Sequence, residues 1–453
     1  MIRIRKPIIC ALIYLSGSRI LNHRNTIEKL DRTSAENLKQ YQMEKLKKLL
    51  QHAYNIVPFY KTVLEDAGVC DKNNINIENF SNIPELTKDI IRKNFQNLKS
   101  RDLNRRKWYL NTSGGSTGEP VTLIQDSDYN DWNIANKIYY KTIVNQEIGD
   151  RELRLWGSTQ DILTGKKKLS ARLKNRLYNR KDLNAYHLSS ENMFEFVKKW
   201  NAFKPEWVEA YSRAAFHFAE FINQNRLQVH TPKGILCTAG TLYGDMKSLI
   251  EGVFRCPVFN RYGSREVGDV ACSCAEGQGL HLSPWNHYVE ILDDSLAPVE
   301  PDSIGNLYIT VLNNYSMPLI RYRIGDIGEK AKNETNCCNR AAPIIKSVLG
   351  RETDLFKLKD GGHVYGGYFT KLLYHKKWIK KFQVIQKDYE HIVIKIVKGS
   401  AINRTDMDEI EENIKVLMGQ DCRTNWVLQD DIKPSASGKY FYVKSEIRSR
   451  NIN

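Results

Sequence analysis

The sequence of 453 residues has no internal repeat and no low-complexity segment. Its N-terminal apolar run extends only from Pro7 to Leu15, well short of the ~20 residues that a transmembrane helix needs. Basic residues flank this run, and no convincing small-residue cleavage site follows it. A helix packed on the domain is the simpler interpretation of residues 3–24, and peripheral attachment to an anionic membrane surface is the alternative.

Cysteines are too few and too irregular for an extracellular disulfide framework, since the chain has nine of them and two are adjacent, Cys337 and Cys338. We therefore expect a cytoplasmic protein, with contact at the inner face of the membrane as the alternative. The net charge of +16 is spread along the chain without a zinc-finger, homeodomain or RNP signature, so we expect no nucleic-acid partner. An anionic substrate or an anionic membrane accounts for the excess charge equally well.

Hydrophobic periodicity predicts alternating helices and strands. A capping-box pattern from Thr33 to Glu36 begins a helix over about residues 34–55, and Pro58 ends it. Short apolar runs at 153–156, 234–237, 257–260, 288–292 and 307–312 predict strands, with helices over 192–199 and 212–223. This alternation is typical of an α/β architecture with a large mixed sheet flanked by helices.

The pattern changes near Gly350. Beyond it, residues 391–397 and 425–428 predict strands and residues 406–417 a helix, which together make a small α+β unit. The sequence thus predicts a large N-terminal domain over 1–350 and a small C-terminal domain over 351–453.

The densest motif is the Ser/Thr/Gly segment from Thr112 to Pro120. Its glycines allow the backbone to approach a phosphate closely, and its hydroxyl groups can donate hydrogen bonds to phosphate oxygens. The spacing is wrong for a Walker loop, and no lysine follows the last glycine. If no other motif accompanied it, the composition of this segment would equally indicate a flexible connection between two elements. The candidate phosphate-binding residues are Ser113, Gly114, Gly115, Ser116, Thr117 and Gly118.

This loop resembles the Ser/Thr/Gly loop of the adenylate-forming superfamily. Within the superfamily the chain is most similar to the phenylacetate–CoA ligase family and its capsule-biosynthesis branch, the CapK-like proteins. The segment Val57-Pro58-Phe59-Tyr60 also resembles the opening helix of that branch. The resemblance implies a large adenylation domain and a small mobile C-terminal lid, with ATP and Mg²⁺ as cofactors.

Two further motifs resemble the nucleotide-binding motifs of the superfamily. In Arg261-Tyr262-Gly263-Ser264-Arg265-Glu266, Tyr262 offers a face for adenine, Gly263 and Ser264 complete the nucleotide contact, and Glu266 would hold magnesium. In the segment 318–326, Asp326 can accept both ribose hydroxyls, because an ionised carboxylate has two acceptor oxygens. Alone, each motif could be an ordinary strand end.

A hinge and a terminal lysine complete the resemblance. The segment 350–354 resembles the superfamily's Gly-Arg-x-x-Asp hinge, which adds Arg351 to the nucleotide-binding set. Lys439 stands where the superfamily places a catalytic lysine, and a cation there would offset the charge that develops when a carboxylate attacks the α-phosphorus. Glu266 and Lys439 are thus the candidate catalytic residues.

The resemblance implies an ATP-dependent ligase that forms an acyl-adenylate and then transfers the acyl group. The acceptor is expected to be coenzyme A, or an amine or hydroxyl group on a sugar or a lipid-linked glycan. The resemblance to the capsule branch suggests the second kind of acceptor and a role in capsular or surface polysaccharide biosynthesis. Glu119 and Gly240 depart from the usual residues of relatives, so the acyl specificity does not transfer. A non-catalytic nucleotide-binding or scaffold protein is the alternative function. The sequence identifies neither the acid nor the oligomeric state.

A structural zinc site is the last hypothesis. Cys272, Cys274, His281 and Cys338 are soft ligands of the kinds that zinc prefers, and the capsule branch resembles this arrangement. Adjacent cysteines rarely bind one ion together, and of Cys337 and Cys338 we choose Cys338 because it lies nearer to Arg340. Idle or buried thiols are the alternative, because the spacing departs from a Cys-x-x-Cys knuckle.

Overall fold

The computed structural model describes residues 2–71, 74–113, 120–156, 168–184, 190–277, 279–332, 338–351, 355–359, 363–374, 376–433 and 441–447. By their contacts the residues divide into two compact units, which are described separately. The first comprises Met1–Ser113, Val121–Ile324 and Gly328–Val348, and the second comprises Gly114–Pro120, Gly325–Ile327 and Leu349–Asn453.

The helices of the first unit lie mainly in its N-terminal third and between its parallel strands. They are α1 (Ile2–Leu15), α2 (Ile20–Leu30), α3 (Ala35–Ile56), α4 (Pro58–Asp66), α5 (Lys88–Lys93), α6 (Ser127–Ile143), α7 (Lys168–Leu177), α8 (Ser190–Phe203), α9 (Ser212–Gln224) and α10 (Gly244–Phe254). Short 3₁₀ turns cover Ile77–Asn82 and Leu103–Arg105. No helix in the described ranges is both long enough and apolar enough to cross a bilayer.

Strands β1 to β13 follow in chain order. They are β1 (Trp108–Thr112), β2 (Thr122–Asp126), β3 (Glu152–Trp156), β4 (Arg180–Asn184), β5 (Trp207–Tyr211), β6 (Gly234–Thr238), β7 (Val258–Ser264), β8 (Gly268–Ser273), β9 (Leu280–Leu282), β10 (His287–Leu292), β11 (Ile304–Val311), β12 (Tyr322–Lys330) and β13 (Ile344–Arg351).

The described strands β3 to β13 form one large sheet in the order β10-β11-β12-β13-β9-β8-β7-β6-β5-β3-β4. Neighbours from β4 to β7 are parallel, whereas the pairs β7–β8, β8–β9, β9–β13 and β10–β11 are antiparallel. Strands β1 and β2 form a separate antiparallel hairpin. The predicted mixed α/β architecture is confirmed.

Local sequence explains where the long helix α3 begins and ends. Ser34 caps it, because its side chain accepts a hydrogen bond from the backbone N–H of Asn37 at 3.2 Å. Val57 follows the last turn in an extended conformation, as expected for a residue before proline, and Pro58 then starts α4 at its first position. The predicted helix over 34–55 therefore agrees with the structure within one residue at each end.

Among the described residues, two large apolar cores pack the N-terminal helices of the first unit against its strands. In one, Leu49 and Leu50 of α3 pack with Tyr60 of α4 and with buried residues of β11 and β12. In the other, α1, α2 and α6 bury their apolar faces with Trp207, Leu236 and Phe259 from strands β5, β6 and β7. Because strands β5 and β6 are almost wholly buried, they consist of near-continuous apolar residues, as parallel strands usually do.

The second unit is a small α+β fold. It contains β14 (Leu355–Lys357), β15 (His363–Tyr365), α11 (Gly366–Tyr374), β16 (Ile379–Asp388), β17 (His391–Lys398), α12 (Arg404–Met418), β18 (Arg423–Leu428) and β19 (Val443–Ser445). Its sheet has the order β18-β17-β16-β19, and β14 pairs with β15. Buried residues of α11, α12 and the sheet, including Phe369, Ile394 and Ile414, share one apolar core.

Candidate functional site

The carboxyl ends of the parallel strands bring several aromatic and polar residues to one sheet edge, among them the predicted Tyr262. Trp156 ends β3, Tyr211 ends β5, Thr238 ends β6, and Tyr262 lies near the end of β7. The rings of Trp156 and Tyr211 are 4.4 Å apart between centroids. Ligands of α/β proteins bind characteristically at this edge, so its aromatic residues are placed to line a pocket.

The turn between β7 and β8 carries Glu266. The side-chain oxygen of Ser264 accepts a hydrogen bond from the backbone N–H of Glu266 at 3.2 Å, which fixes the turn. The Glu266 side chain is buried, and no described basic residue forms an ion pair with it. A buried carboxylate that no cation neutralises is suited to hold a metal ion.

Gly263 is required by the close pairing of these two strands. The register of β7 against β8 shifts between Tyr262 and Gly263. A Cβ atom on Gly263 would lie 2.8 Å from the Cα of Asp269 and would also collide with the carbonyl oxygen of Gly268. Only glycine fits at this point of the motif without moving the backbone of the neighbouring strand.

The Ser/Thr/Gly loop connects β1 and β2. Ser113 closes its base, because the Ser113 N–H donates to the Val121 carbonyl and the Val121 N–H donates to the Ser113 side-chain oxygen, both at 2.9 Å. These two hydrogen bonds fix Ser113 at the base of the loop. Its side-chain oxygen accepts in one of them, so the hydroxyl group can still donate a hydrogen bond to a ligand. Gly114, Gly115, Ser116, Thr117 and Gly118 lie outside the described residues, as does Glu119.

Two amide side chains fasten this hairpin to the Glu266 turn. The Asn111 amide nitrogen donates to the Arg265 carbonyl at 3.0 Å, and the Gln125 amide nitrogen donates to the carbonyls of Arg265 at 3.0 Å and Glu266 at 3.1 Å. Asn111 also donates to the Gln125 side-chain oxygen at 2.9 Å. We call Asn111 and Gln125 the amide clamp. It holds the base of the Ser/Thr/Gly loop beside the candidate metal ligand.

The turn is also held from its other side. The His287 ring lies between the Val267 carbonyl, which accepts from Nε2 at 2.6 Å, and the Ser283 hydroxyl, which is 2.7 Å from Nδ1. Burial lowers the pKa of His287 to about 4, so the ring is neutral near pH 7. A neutral imidazole can donate from one nitrogen and accept at the other, which matches these two contacts.

Two arginines of the predicted motifs are structural rather than ligand-binding. The Arg261 guanidinium is buried and pairs with Glu209 of β5 and with Asp269 of β8. Burial alone would raise the pKa of Glu209, but Arg261 and nearby lysines hold this pKa well below its usual range. Arg321, with a left-handed φ of 48°, donates to Glu290 and to the carbonyls of Ser81 and Ile83.

The second unit brings together two predicted nucleotide-binding residues. The Arg351 guanidinium lies 2.9 Å from a carboxylate oxygen of Asp326. Gly325 has a left-handed φ of 82°, and the position of a Cβ atom there would be 3.5 Å from Arg351. Arg351 contacts one carboxylate oxygen of Asp326, and a carboxylate has lone pairs enough to accept a ribose hydroxyl as well. Lys439 lies outside the described residues.

Three of the four predicted zinc ligands meet. Among the described residues, the ligand atoms of Cys274, His281 and Cys338 all lie within 4.8 Å of one another, and the two sulfur atoms are 2.8 Å apart. Neither ring nitrogen of His281 has a hydrogen-bond partner in the described part of the chain, although the ring is buried. Burial opposes ionisation of Cys274, but the neighbouring His281 and Cys338 lower its pKa to about 6.

Cys272 does not join this group. It lies opposite His281 in the β8–β9 pair, yet its side chain is fully buried in the apolar core with Trp132 and Trp285. Burial raises the pKa of its thiol well above the usual value. The structure therefore replaces the expected four-residue set with a group of three, because β8 ends at Ser273 and the chain leaves the strand before Cys274.

Sequence reasoning missed the amide clamp and His287. Their partners are remote in sequence, since Asn111 and Arg265 are 154 residues apart and Gln125 and Glu266 are 141 apart. The one available signal is the polarity of Gln125 directly after the apolar pair Leu123-Ile124, because a buried amide must find partners.

The requirement for glycine at position 263 is testable. Because a side chain there forces the β7–β8 pair apart, we expect Gly263→Ala to destabilise the protein by about 1–3 kcal/mol. Gly252→Ala is the matched control, since nothing lies within 4 Å of the new methyl group in helix α10 and alanine favours the helix. Thermal unfolding of the two variants measures the difference. An unchanged midpoint for Gly263→Ala would contradict the requirement.

Comparison with known proteins identifies several that the chain resembles. Residues 356–446 match the family model of the CapK C-terminal domain. The chain is 26% identical over 397 residues to protein CapK of Staphylococcus aureus, covering 86% of this chain and 85% of that protein. A phenylacetate-coenzyme A ligase of Pseudomonas putida is 23% identical over 344 residues, covering 74% of this chain and 75% of that enzyme.

A solved structure extends the likeness over both units. The crystal structure of 2-hydroxyisobutyryl-CoA ligase in the postadenylation state, in complex with R3-HIB-AMP, has a TM-score of 0.71 at 17% identity and covers 92% of each chain. At this identity the likeness establishes the fold. Together with the sequence relatives it agrees with the resemblance that the motifs predicted: the chain has the fold of that ligase, it is similar to protein CapK over most of its length, and residues 356–446 match the CapK C-terminal domain.

Proposed function

We propose that the protein is an AMP-forming ligase that activates a carboxylic acid with ATP. A carboxylate oxygen attacks the α-phosphorus, the bond to the β-phosphate oxygen breaks, and pyrophosphate leaves. In the second step a nucleophile attacks the acyl carbon and AMP departs. Relatives named phenylacetate-coenzyme A ligase and a structural neighbour named as a CoA ligase support this class of reaction.

The amide clamp is the observation that carries the proposal. Asn111 and Gln125 tie the hairpin of the Ser/Thr/Gly loop to the carbonyls of Arg265 and Glu266. The hairpin that carries Ser113, at the base of the loop for phosphates, is thereby fixed to the turn that carries the carboxylate for their magnesium ion. Phosphoryl chemistry depends mainly on such positioning and on electrostatic stabilisation, so this link has a direct catalytic purpose.

Roles follow for the individual residues. The loop from Ser113 to Gly118 would bind the phosphates, Tyr262 would stack on adenine, and Asp326 would accept the ribose hydroxyls beside Arg351. Glu266 fits a magnesium ligand because it is buried and forms no ion pair with a described residue. The ion would neutralise phosphate charge, and the protein's part is to hold Glu266 at a fixed place through the clamp and through Ser264.

The acceptor in the second step is either coenzyme A or an amine or hydroxyl group. Relatives named as coenzyme A ligases favour coenzyme A. The resemblance of the motifs to the capsule-biosynthesis branch keeps an amine or hydroxyl group on a sugar or lipid-linked glycan as the second proposed acceptor. Release of AMP from preformed acyl-adenylate, with coenzyme A or amino sugars added in turn, distinguishes the two.

Lys439 provides the test of the adenylation step. We expect Lys439→Ala to slow ATP–pyrophosphate exchange by about 10²–10³, because a cation that offsets transition-state charge is lost while ATP binding is largely kept. Lys433→Ala is the matched control, since Lys433 is an exposed lysine near the same segment. The assay uses the full chain with a panel of carboxylic acids. No exchange with any acid would support a non-catalytic protein, and normal exchange by Lys439→Ala would refute the role of this lysine.

We also propose a structural zinc ion held by Cys274, His281 and Cys338. Zinc prefers thiolate and imidazole ligands, and the low pKa of Cys274 favours the thiolate that the ion needs. Two thiolates on one tetrahedral zinc ion lie about 3.8 Å apart, so the sulfur atoms, now 2.8 Å apart, would separate by about 1 Å. The φ values of Cys338 and Asn339, 62° and 53°, are uncommon for residues other than glycine, and a ligated sulfur would help to hold them.

Metal analysis of protein purified without a histidine tag tests the zinc proposal. We expect about one zinc ion per chain, with its loss in Cys274→Ser and a lower unfolding temperature after chelation. Cys272→Ala should keep the metal, because Cys272 lies in the apolar core. Metal-free protein with a Cys274–Cys338 disulfide, seen as the loss of two hydrogens by mass spectrometry, would contradict the site, as would zinc that survives Cys274→Ser.

A further inference from the structure

Helix α1 packs on the first unit with one face only. Ile9 and Ile13 are buried in the core that they share with Trp132 and Tyr139 of α6. The Lys6 ammonium group lies 2.5 Å from the Glu147 carboxylate and adds a polar contact. The helix is therefore an integral part of the fold, as its simpler interpretation predicted.

A second face of α1 is apolar and exposed. Ile8, Leu12 and Leu15 are 45%, 48% and 78% exposed, and their spacing of four and three residues places them on one stripe. Tyr14 beside them is 75% exposed. Single exposed apolar residues are ordinary, but a contiguous stripe of this kind usually contacts a partner. We call Ile8, Leu12 and Leu15 the α1 stripe.

Helix α7 adjoins α1 and supplies positive charge. The Arg5 guanidinium donates to the carbonyl of Arg176 at 2.6 Å and to that of Leu177 at 3.3 Å, which joins the two helices. Arg172 and Lys174 of α7 have exposed side chains, and Leu173 between them is 62% exposed. Apolar and cationic side chains thus occur together on α7.

Negative charge is absent from both segments. Residues 1–27 contain five basic and no acidic side chains, and residues 162–181 contain eight basic and no acidic side chains. Among the described residues, two acidic side chains that contact these helices are already engaged, since Glu147 pairs with Lys6 and Asp182 pairs with Arg154. The surface around the α1 stripe therefore attracts anions.

We propose that α1 and α7 form a peripheral binding surface for anionic lipid. The α1 stripe inserts among the acyl chains near the headgroups, and Arg172, Lys174 and Arg176 face the anionic headgroups. Stable attachment of a peripheral protein to a membrane needs two contributions. This surface combines insertion of apolar side chains with electrostatic attraction to anionic headgroups. The inner face of α1 stays packed on the protein, so attachment requires no unfolding.

A lipid surface fits these features better than a protein partner. The α1 stripe is narrow and lies beside cationic side chains, whereas the buried centre of a protein interface is depleted of charged residues. At a membrane, the stems of long basic side chains cover apolar surface while their charged ends reach the headgroups. The same arrangement would be costly in a dehydrated protein interface.

Flotation of the full chain with vesicles tests the proposal. Vesicles of phosphatidylcholine alone are compared with vesicles of equal parts phosphatidylcholine and phosphatidylglycerol, each at low and high salt. We expect binding to the anionic vesicles that weakens at high salt, because screening reduces the attraction. Leu12→Ser with Leu15→Ser, and separately Arg172→Gln with Lys174→Gln, should each lower the partition coefficient about tenfold or more.

Matched controls lie outside this surface. Val416→Ser removes an exposed apolar residue from α12, and Lys398→Gln removes an exposed charge at the end of β17; both variants should bind vesicles like the unaltered chain. Failure of the unaltered chain to float with anionic vesicles at low salt would overturn the proposal. So would a dimer in sedimentation velocity that Leu12→Ser with Leu15→Ser dissociates, because a second copy would then cover the stripe. The assay needs no ATP and is independent of the proposed catalysis.

Discussion

The hydrogen bonds from Asn111 and Gln125 to the carbonyls of Arg265 and Glu266 are the constraint on which the candidate site depends. The β1–β2 hairpin is not part of the large sheet, so neither strand pairing nor sequence proximity fixes it to β7 and β8. Burial of an amide group such as that of Gln125 costs free energy unless the group is hydrogen-bonded. The hydrogen bonds to the two carbonyls are therefore specific as well as favourable. Through it, the hairpin at the base of the Ser/Thr/Gly loop is fixed to the turn that carries a carboxylate suited to magnesium.

The residues of the predicted motifs divide into two kinds. Arg261 and Arg321 are buried and bonded to the protein itself, so they shape the strands that carry the site. Glu266 is held by its backbone while its carboxylate forms no ion pair with a described residue, and Asp326 meets Arg351 in the second unit. A sequence motif therefore contains residues that support the fold as well as residues that contact a ligand. Only the contacts in the structure distinguish these two groups of residues.

Much of the fold could be predicted because its causes are local. The limits of α3 follow from Ser34 and Pro58, and the buried parallel strands appear as short apolar runs. Motif order indicated Tyr262, Glu266 and Asp326 as site residues, but spacing could not reveal the amide clamp, whose partners are more than 130 residues apart. Spacing also could not separate Cys272 from Cys274, because the end of β8 between them decides which thiol meets His281 and Cys338.

The rate of ATP–pyrophosphate exchange in Gln125→Met tests the central role of the clamp most directly. Methionine has a similar size and cannot donate to the two carbonyls, so the hairpin should lose its fixed place beside Glu266 while the apolar contacts remain. We expect the rate at saturating ATP and magnesium to fall about 10- to 100-fold, as for a small misplacement of reacting groups, with little change in unfolding temperature. An unchanged rate in a folded Gln125→Met protein would contradict the account.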